Sequence, residues 1–99
     1  MEKRIRTKIN VTAEDIRLGM PGHCEKCAIA RAARRDLKLP ANQHVWVDEA
    51  GIRAIDSAHY TRVFLNPTAK MKRFINRFDN LARRKHLKPT TLQFTGIIR

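Results

Sequence analysis

Two cysteines form the motif with the most obvious chemistry in this sequence. Cys24 and Cys27 are separated by two residues, and His23 directly precedes them. The C-x₂-C spacing lets two thiolates bind one tetrahedral zinc ion, but a complete site needs two more ligands. The other histidines, at positions 44, 59 and 86, are scattered along the chain. We therefore predict no metal and no cofactor, with zinc held by Cys24 and Cys27 as the alternative.

A structural role is the other interpretation of the pair, and it is the one we favour. A free cysteine is commonly a small buried residue, and Cys27 stands where a helix is predicted to begin. A turn at residues 19–22 precedes the pair, whereas a strand precedes a thioredoxin-type dithiol. The helix N-terminus, with Lys26 and Arg31, would favour the thiolate form of Cys27. We expect both cysteines to be structural and not catalytic.

Further signs of catalysis are missing from the sequence. It contains no glycine-rich phosphate loop and neither an H-E-x-x-H nor a G-x-S-x-G motif. Three acids, Asp48, Glu49 and Asp56, fall in or beside predicted turns, where acids usually serve solubility and turn geometry. We therefore predict no catalytic residue and a protein that is not an enzyme.

A strong positive charge is the second chemical feature of the chain. Its 99 residues include 21 Lys and Arg but 9 Asp and Glu, which gives a net charge of +12. Such a charge points to an anionic partner, either nucleic acid or a ribonucleoprotein or acidic protein surface. No apolar run is long enough for a membrane span or a signal peptide, and two cysteines this close form no disulfide framework. We therefore expect a cytoplasmic protein with no membrane partner.

The densest positive charge is predicted on one helix, from Asn66 to Leu87. Asn66 would cap its N-terminus, Pro67 would take the first helical position, and a Lys-Pro pair would end it. Apolar residues at helical spacing predict a buried stripe of Met71, Phe74, Ile75, Phe78, Leu81 and Ala82. The opposite face carries Lys72, Arg73, Asn76, Arg77, Asn80, Arg83 and Arg84.

This basic face could serve solubility alone or bind an anionic partner. A face that serves solubility usually mixes acids with bases, so that neighbouring charges attract each other. Here like charges adjoin, and an anionic partner would relieve their repulsion. The predicted nucleic-acid or partner surface consists of Lys72, Arg73, Arg77, Arg83 and Arg84, joined by Arg31, Arg34 and Arg35 of the preceding helix if both helices lie on one face of the sheet.

The remaining segments predict one α+β domain over residues 1–99. Residues 3–11 alternate between apolar and basic side chains, which predicts a strand with a basic face. A capping box at residues 12–15 predicts a short helical turn, and residues 27–37 a second helix. Further strands are predicted at residues 44–47, 51–55, 60–65 and 91–98. The order β-α-β-β-β-α-β predicts a mostly antiparallel sheet covered on one face by two helices.

Three motifs spread over the chain carry a resemblance. They fit the patterns T-x-E-D-I-x-x-G, C-x₂-C-[P]-I-A-x-A and F-I-x-x-F-D, followed by a final strand with a phenylalanine. The matching residues are Thr12, Glu14, Asp15, Ile16 and Gly19, then Cys24, Cys27, Ile29, Ala30 and Ala32, then Phe74, Ile75, Phe78 and Asp79, and finally Pro89 and Phe94. In these motifs the whole chain resembles a family of small, mostly uncharacterised phage and prophage proteins. It departs at Ala28, where that pattern usually has proline.

The resemblance implies the same topology and a phage origin, but it implies no reaction. In size and phage setting the chain is similar to anti-defence proteins such as anti-CRISPRs, by context and not by motif. Our first prediction is therefore a small phage-encoded, non-enzymatic binding protein in the host cytoplasm. It would inhibit a host defence system, in the manner of an anti-CRISPR, through its basic helical surface.

Two alternatives remain from the residues themselves. The first is a general nucleic-acid-binding protein that contacts phosphates, and the second is a zinc-stabilised adaptor. Sequence-specific reading is not expected, because the chain has no helix-turn-helix or RNP signature. Trp46 and Tyr60 are the candidates for base stacking, and each could equally belong to the core.

Overall fold

A computed structural model describes residues 2–99 of the chain, apart from the side chains of residues 81 and 82. The elements are β1 (Lys3–Val11), α1 (Ala13–Leu18), α2 (Ala28–Asp36), β2 (His44–Asp48), β3 (Gly51–Ile55), β4 (Thr61–Leu65), α3 (Ala69–Asp79), α4 (Leu81–Arg84) and β5 (Thr90–Ile98). The strands form one antiparallel sheet in the order β1-β5-β4-β3-β2, so the last strand inserts between the first and the fourth. The predicted α+β class is confirmed.

One face of the sheet forms the core. Alternate strand residues such as Ile9, Leu65 and Leu92 are fully buried, and Ile29 of α2 and Phe78 of α3 belong to the same apolar cluster. Both longer helices therefore cover this face. Among the described residues, the opposite face contributes no side chain to that cluster. We call it the helix-free face, and its residues include Arg4, Arg6, Lys8, Trp46, Arg53, Phe64, Gln93, Thr95 and Ile97.

The capping box predicted at residues 12–15 is present and begins α1. Thr12 Oγ1 accepts a hydrogen bond from Asp15 N at 3.1 Å, and Asp15 Oδ2 accepts one from Thr12 N at 3.0 Å. The second predicted helix is also confirmed, with Cys27 as the N-cap of α2 and Leu37 as its C-cap. Buried alanines in α2 let it lie close to β1 and β2.

The predicted hairpin at residues 44–55 forms around a two-residue turn. Asp48 pairs with Gly51 across this turn. Gly51 has a φ of 125°, and a Cβ atom there would lie 2.3 Å from the carbonyl oxygen of Leu65. A side chain at this position would therefore meet both backbone strain and a collision with β4.

The predicted helix over residues 66–87 is wrong at its start. Asn66 does not cap it, because its backbone and side-chain N–H groups both donate to Thr95 O, which extends the contact between β4 and β5. Thr68 takes the capping role, since its Oγ1 atom accepts a hydrogen bond from Met71 N at 3.1 Å. Pro67 therefore precedes the cap and does not occupy the first helical turn.

The same predicted helix is also interrupted after Asp79. Asn80 is extended, with φ −98° and ψ 111°, and α4 follows it. Asp79 Oδ1 accepts a hydrogen bond from Gly22 N at 2.9 Å, and Asp and Asn side chains generally compete with helical backbone bonding. The predicted stripe is confirmed at Met71, Phe74 and Phe78, is half-buried at Ile75, and otherwise falls on Leu81 and Ala82, whose side chains lie outside the described residues. None of the described helices is both long and apolar enough to cross a membrane.

Candidate functional site

The side of α3 that faces away from the core carries unpaired positive charge. Lys72, Arg73 and Arg77 are exposed there, while Phe74 and Phe78 stack on the core side with their ring centroids 6.1 Å apart. The buried stripe therefore fixes the direction of the three cationic side chains. Within residues 2–99, no carboxylate lies within 4.0 Å of their charged groups.

A groove rich in cations separates α3 from the segment that leads into β5. Two hollows of about 480 Å³ and 250 Å³ adjoin there and share Arg77, His86 and Leu87 in their walls. We call this feature the basic groove, and its cationic and imidazole side chains are Lys70, Arg73, Arg77, Arg83, His86 and Lys88. No acidic residue of the described chain lines either hollow.

Two further contacts involve basic side chains of α3 and α4. Lys70 Nζ donates a hydrogen bond to Thr91 O at 2.9 Å, which ties α3 to the start of β5. Arg84 Cζ lies 5.9 Å from the ring centroid of Phe78, a cation–π distance. The remaining guanidinium and ammonium groups of the groove have no bonding partner among the described side chains, so they are free to bind anions.

The sequence adds two arginines of α2 to this surface, but in the structure both are paired with groups of the domain itself. Arg35 Nη1 donates to both carboxylate oxygens of Asp15 at 3.0 Å, and Arg35 Nη2 donates to Asn10 O at 2.6 Å. Arg31 Nε lies 3.6 Å from Asp15 Oδ1. Asp15 is 1 % exposed, and its contacts with these two arginines hold α2 against α1. The bond from Arg35 to Asn10 O holds α2 against β1.

The third arginine of α2 also has internal partners. Arg34 Nη2 donates a hydrogen bond to Gln43 O, and Arg34 Nη1 donates to Pro40 O at 3.5 Å. The structure thus brings Arg73, Arg77 and Arg83 together in the basic groove, leaves Lys72 and Arg84 outside its walls, and directs the arginines of α2 to other partners. Both longer helices cover the same face of the sheet, but the arginines of α2 do not join the basic groove.

Cys27 is the N-cap of α2, as the structural interpretation predicts. Its Sγ atom accepts a hydrogen bond from Ala30 N at 3.5 Å, and the residue is 8 % exposed. Burial raises the pKa of the Cys27 thiol, and this effect exceeds the lowering by the backbone N–H groups of Ala30 and Ile29. The helix N-terminus does favour the thiolate through these N–H groups, as expected, but desolvation outweighs that effect.

A cavity of about 230 Å³ lies beside the cysteine pair. Its walls include His23, Cys24, Cys27, Asp48 and Asp79. In the part of the chain that the structure describes, no three His, Cys, Asp or Glu side chains are arranged to hold a metal ion. The zinc-stabilised adaptor thus stays a prediction that this geometry does not support.

Sequence reasoning missed half of the basic groove. The predicted surface does not include Lys70, His86 or Lys88. The sequence predicts one helix over residues 66–87 that ends at Lys88. The signal that could have found His86 and Lys88 is their position on either side of Leu87, directly before Pro89. It also missed Phe64, which lies half-exposed on the helix-free face.

Comparison with known proteins found no matching family model, no matching curated protein and no matching solved structure. The resemblance to small phage and prophage proteins therefore stays a prediction. Any functional conclusion rests on the chemistry of the surfaces described above.

Proposed function

We propose that this protein binds nucleic acid, and that the basic groove contacts the phosphate backbone. One observation carries the proposal: Arg73, Arg77, Arg83 and Lys88 line a single groove in which no described acid balances them. Arginine binds phosphate with two parallel N–H···O bonds, and lysine adds a point charge. Contacts of this kind position a nucleic acid without reading its sequence.

Salt dependence tests this proposal, because each phosphate contact releases counterions. We would measure the fluorescence anisotropy of labelled nucleic acid at several salt concentrations, for the natural protein and for the double variant Arg73→Glu/Arg77→Glu. Each lost contact reduces the slope of log K against log salt by about 0.9 on duplex DNA and by about 0.7 on a single strand. The double variant should therefore lower the slope by about 1.4–1.8 and weaken binding to every sequence alike.

A matched control separates the groove from the net charge. The variant Arg17→Glu/Lys26→Glu makes the same change in charge at two exposed residues outside the groove. It should keep most of the slope and the affinity, although some loss follows from the lower overall charge. Equal losses in both double variants would refute the groove as the binding site.

The inhibitor function predicted from the resemblance would use the same surface against a different partner. An inhibitor of a host ribonucleoprotein should bind that complex more tightly than free nucleic acid and lose less affinity in salt, because part of its interface would be apolar. Nothing in the basic groove favours this over direct nucleic-acid binding. Tight binding to free nucleic acid that falls steeply with salt would count against the inhibitor.

A further inference from the structure

A row of aromatic, aliphatic and cationic side chains crosses the helix-free face of the sheet. The strand register places Arg4 opposite Ile97, Ile97 opposite Phe64, Phe64 opposite Arg53, and Arg53 opposite Trp46. Neighbouring strands lie about 4.8 Å apart, so the row spans all five strands, with the apolar pair Ile97 and Phe64 between the two arginines and Trp46 at the far end. Trp46, Phe64 and Ile97 are half-buried, and no helix covers them.

The indole ring of Trp46 is held in place at one end of this row. Trp46 Nε1 donates a hydrogen bond to Asp48 Oδ2 at 2.9 Å, and Arg53 Nη2 lies 3.4 Å from the same oxygen. The polar edge of the indole is thus satisfied by its own hairpin. A partner therefore meets a pre-oriented aromatic face, which lowers the entropy lost on binding.

The other end of the row is positively charged. Arg4, Arg6 and Lys8 of β1 are exposed on this face and have no carboxylate partner among residues 2–99. An open trough of about 650 Å³ runs between Arg4, Arg6 and Phe64, and its polar walls include Thr95. Lys8 lines an adjoining hollow that shares Arg6 and Thr95. Its volume lies within the range of small-molecule sites, about 300–1,000 Å³. One face thus offers an aromatic ring and two guanidinium groups to the same occupant.

From this arrangement we infer that the helix-free face binds single-stranded nucleic acid, with bases stacked on Phe64 and Trp46 and phosphates bound by Arg4, Arg6 and Lys8. Aromatic platforms beside a cationic groove are how sheets bind single strands without sequence preference. A duplex hides its base faces, so it can use the cations but not the rings. The inference shares its partner class with the proposed function but rests on a different surface.

A second copy of the chain fits this face less well than a polyanion does. Face-to-face packing of two copies about an axis across the strands would bring the arginines and the lysine of both β1 strands together, and like charges across an interface oppose association. An uncovered apolar patch rimmed by charge generally marks a binding surface. Here the β1 side of the patch is cationic, and Asp48 at the other end is paired with Arg53, so charge complementarity selects an anionic partner with flat apolar groups.

The test uses oligo(dT) and oligo(rU) of 12 nucleotides and a 12-base-pair DNA duplex, at near-physiological salt. Trp46 is the chain's single tryptophan, so its emission reports on this face alone. We expect either single strand to quench Trp46 emission and to bind more tightly than the duplex. Phe64→Leu keeps an apolar side chain but removes the ring, and should weaken single-strand binding about 5- to 150-fold, the range measured for one stacked base.

Two controls keep folding and packing out of the result. Phe64→Tyr keeps the ring and should stay within about two-fold of the natural affinity, and Phe64→Leu should leave duplex binding unchanged. Thermal unfolding of each variant verifies that it folds. Unchanged Trp46 emission at saturating oligonucleotide, or an unchanged single-strand affinity in Phe64→Leu, would overturn the inference. A dimer that Phe64→Leu dissociates would also overturn it, since the face would then be a self-interface.

The groove and the sheet face fail separately in these experiments. If Arg73→Glu/Arg77→Glu abolishes binding and Phe64→Leu has no effect, the proposed function stands and the sheet-face inference falls. If Phe64→Leu weakens single-strand binding and the groove variant does not, the groove falls and the sheet face stands.

Discussion

Removing the carboxylate of Asp15 should destabilise the domain more than removing any exposed acid. Asp15 is 1 % exposed, accepts a hydrogen bond from Thr12 N in the capping box, and binds Arg35 at 3.0 Å. Asp15→Ala would leave both donors without their acceptor, and would leave the buried Nε of Arg31 without its nearby charge. All three losses act on the junction of α1, α2 and β1.

The magnitude follows from these contacts taken separately. Loss of a capping interaction costs about 1 kcal/mol. A hydrogen bond to a charged group contributes about 1.5–3 kcal/mol, and the lower end applies because the side chain of Arg35 is 47 % exposed and therefore solvent-screened. We expect Asp15→Ala to lower the free energy of unfolding by about 2–3 kcal/mol. In a domain of this size that is a drop in Tm of roughly 10–15 °C.

Urea denaturation followed by circular dichroism measures this loss, and Glu14→Ala is the matched control. Glu14 is the neighbouring acid, its side chain is 65 % exposed, and it lies 3.8 Å from Arg31. Exposed pairs of that kind contribute about 0–1 kcal/mol. A loss below about 1 kcal/mol in Asp15→Ala, or equal losses in the two variants, would refute the assignment of Asp15 as the organising acid of this junction.

Three further predictions follow from the thiols, the pH dependence and the charge of α3. Cys24 should react with iodoacetamide faster than Cys27 near neutral pH, because burial raises the pKa of the Cys27 thiol. Mass spectrometry of the alkylated peptides measures both rates, and equal rates would contradict the burial of Cys27. Arg62 donates to Asp56 and holds the pKa of that carboxyl below its ordinary value, so this contact stabilises the fold above about pH 4 and is lost as the pH falls further. The stability difference between the natural protein and Arg62→Gln should therefore shrink below about pH 4. A constant difference would contradict the linkage. Arg73→Glu should raise the free energy of unfolding by about 0.2–0.5 kcal/mol, because residue 73 lies next to Arg77 on the helix surface, four residues later. The same substitution should weaken nucleic-acid binding. A variant that loses stability would show that Arg73 and Arg77 do not repel each other in the natural protein.

Local sequence patterns were enough to predict the sheet and the two longer helices. Alternation at residues 3–11 and the acidic turn at residues 48–51 depend only on neighbouring residues, and both are present. The errors at Asn66 and Asn80 have a different origin. Asn66 bonds to Thr95, which is 29 residues away, and the helix ends at Asp79, whose carboxylate bonds to Gly22, 57 residues away. Such contacts decide where a helix starts and stops, and no local pattern contains them.

The candidate site was predictable in kind but not in extent. The sequence shows which side of α3 is basic, because the buried stripe is periodic. It does not show that Arg35 is bound, because the partner Asp15 lies 20 residues earlier and meets it only through the packing of α1 against α2. It also does not place Phe64 in one row with Trp46 and Arg4, since that row depends on the register of five strands.

The positions of the acids explain why two surfaces of one small domain stay positively charged. Asp15, Asp36, Asp48 and Asp56 each lie within 3.4 Å of an arginine nitrogen, at the junctions of α2 and at the two turns of the meander. Asp79, the acid at the end of α3, bonds to a backbone N–H on another segment. The available negative charge is thus used where the fold needs a partner for an arginine. Among the described residues, no acid pairs with the cations of the basic groove or of the β1 side of the helix-free face, so these charges repel one another until an anion binds, and a bound polyanion should stabilise the folded state.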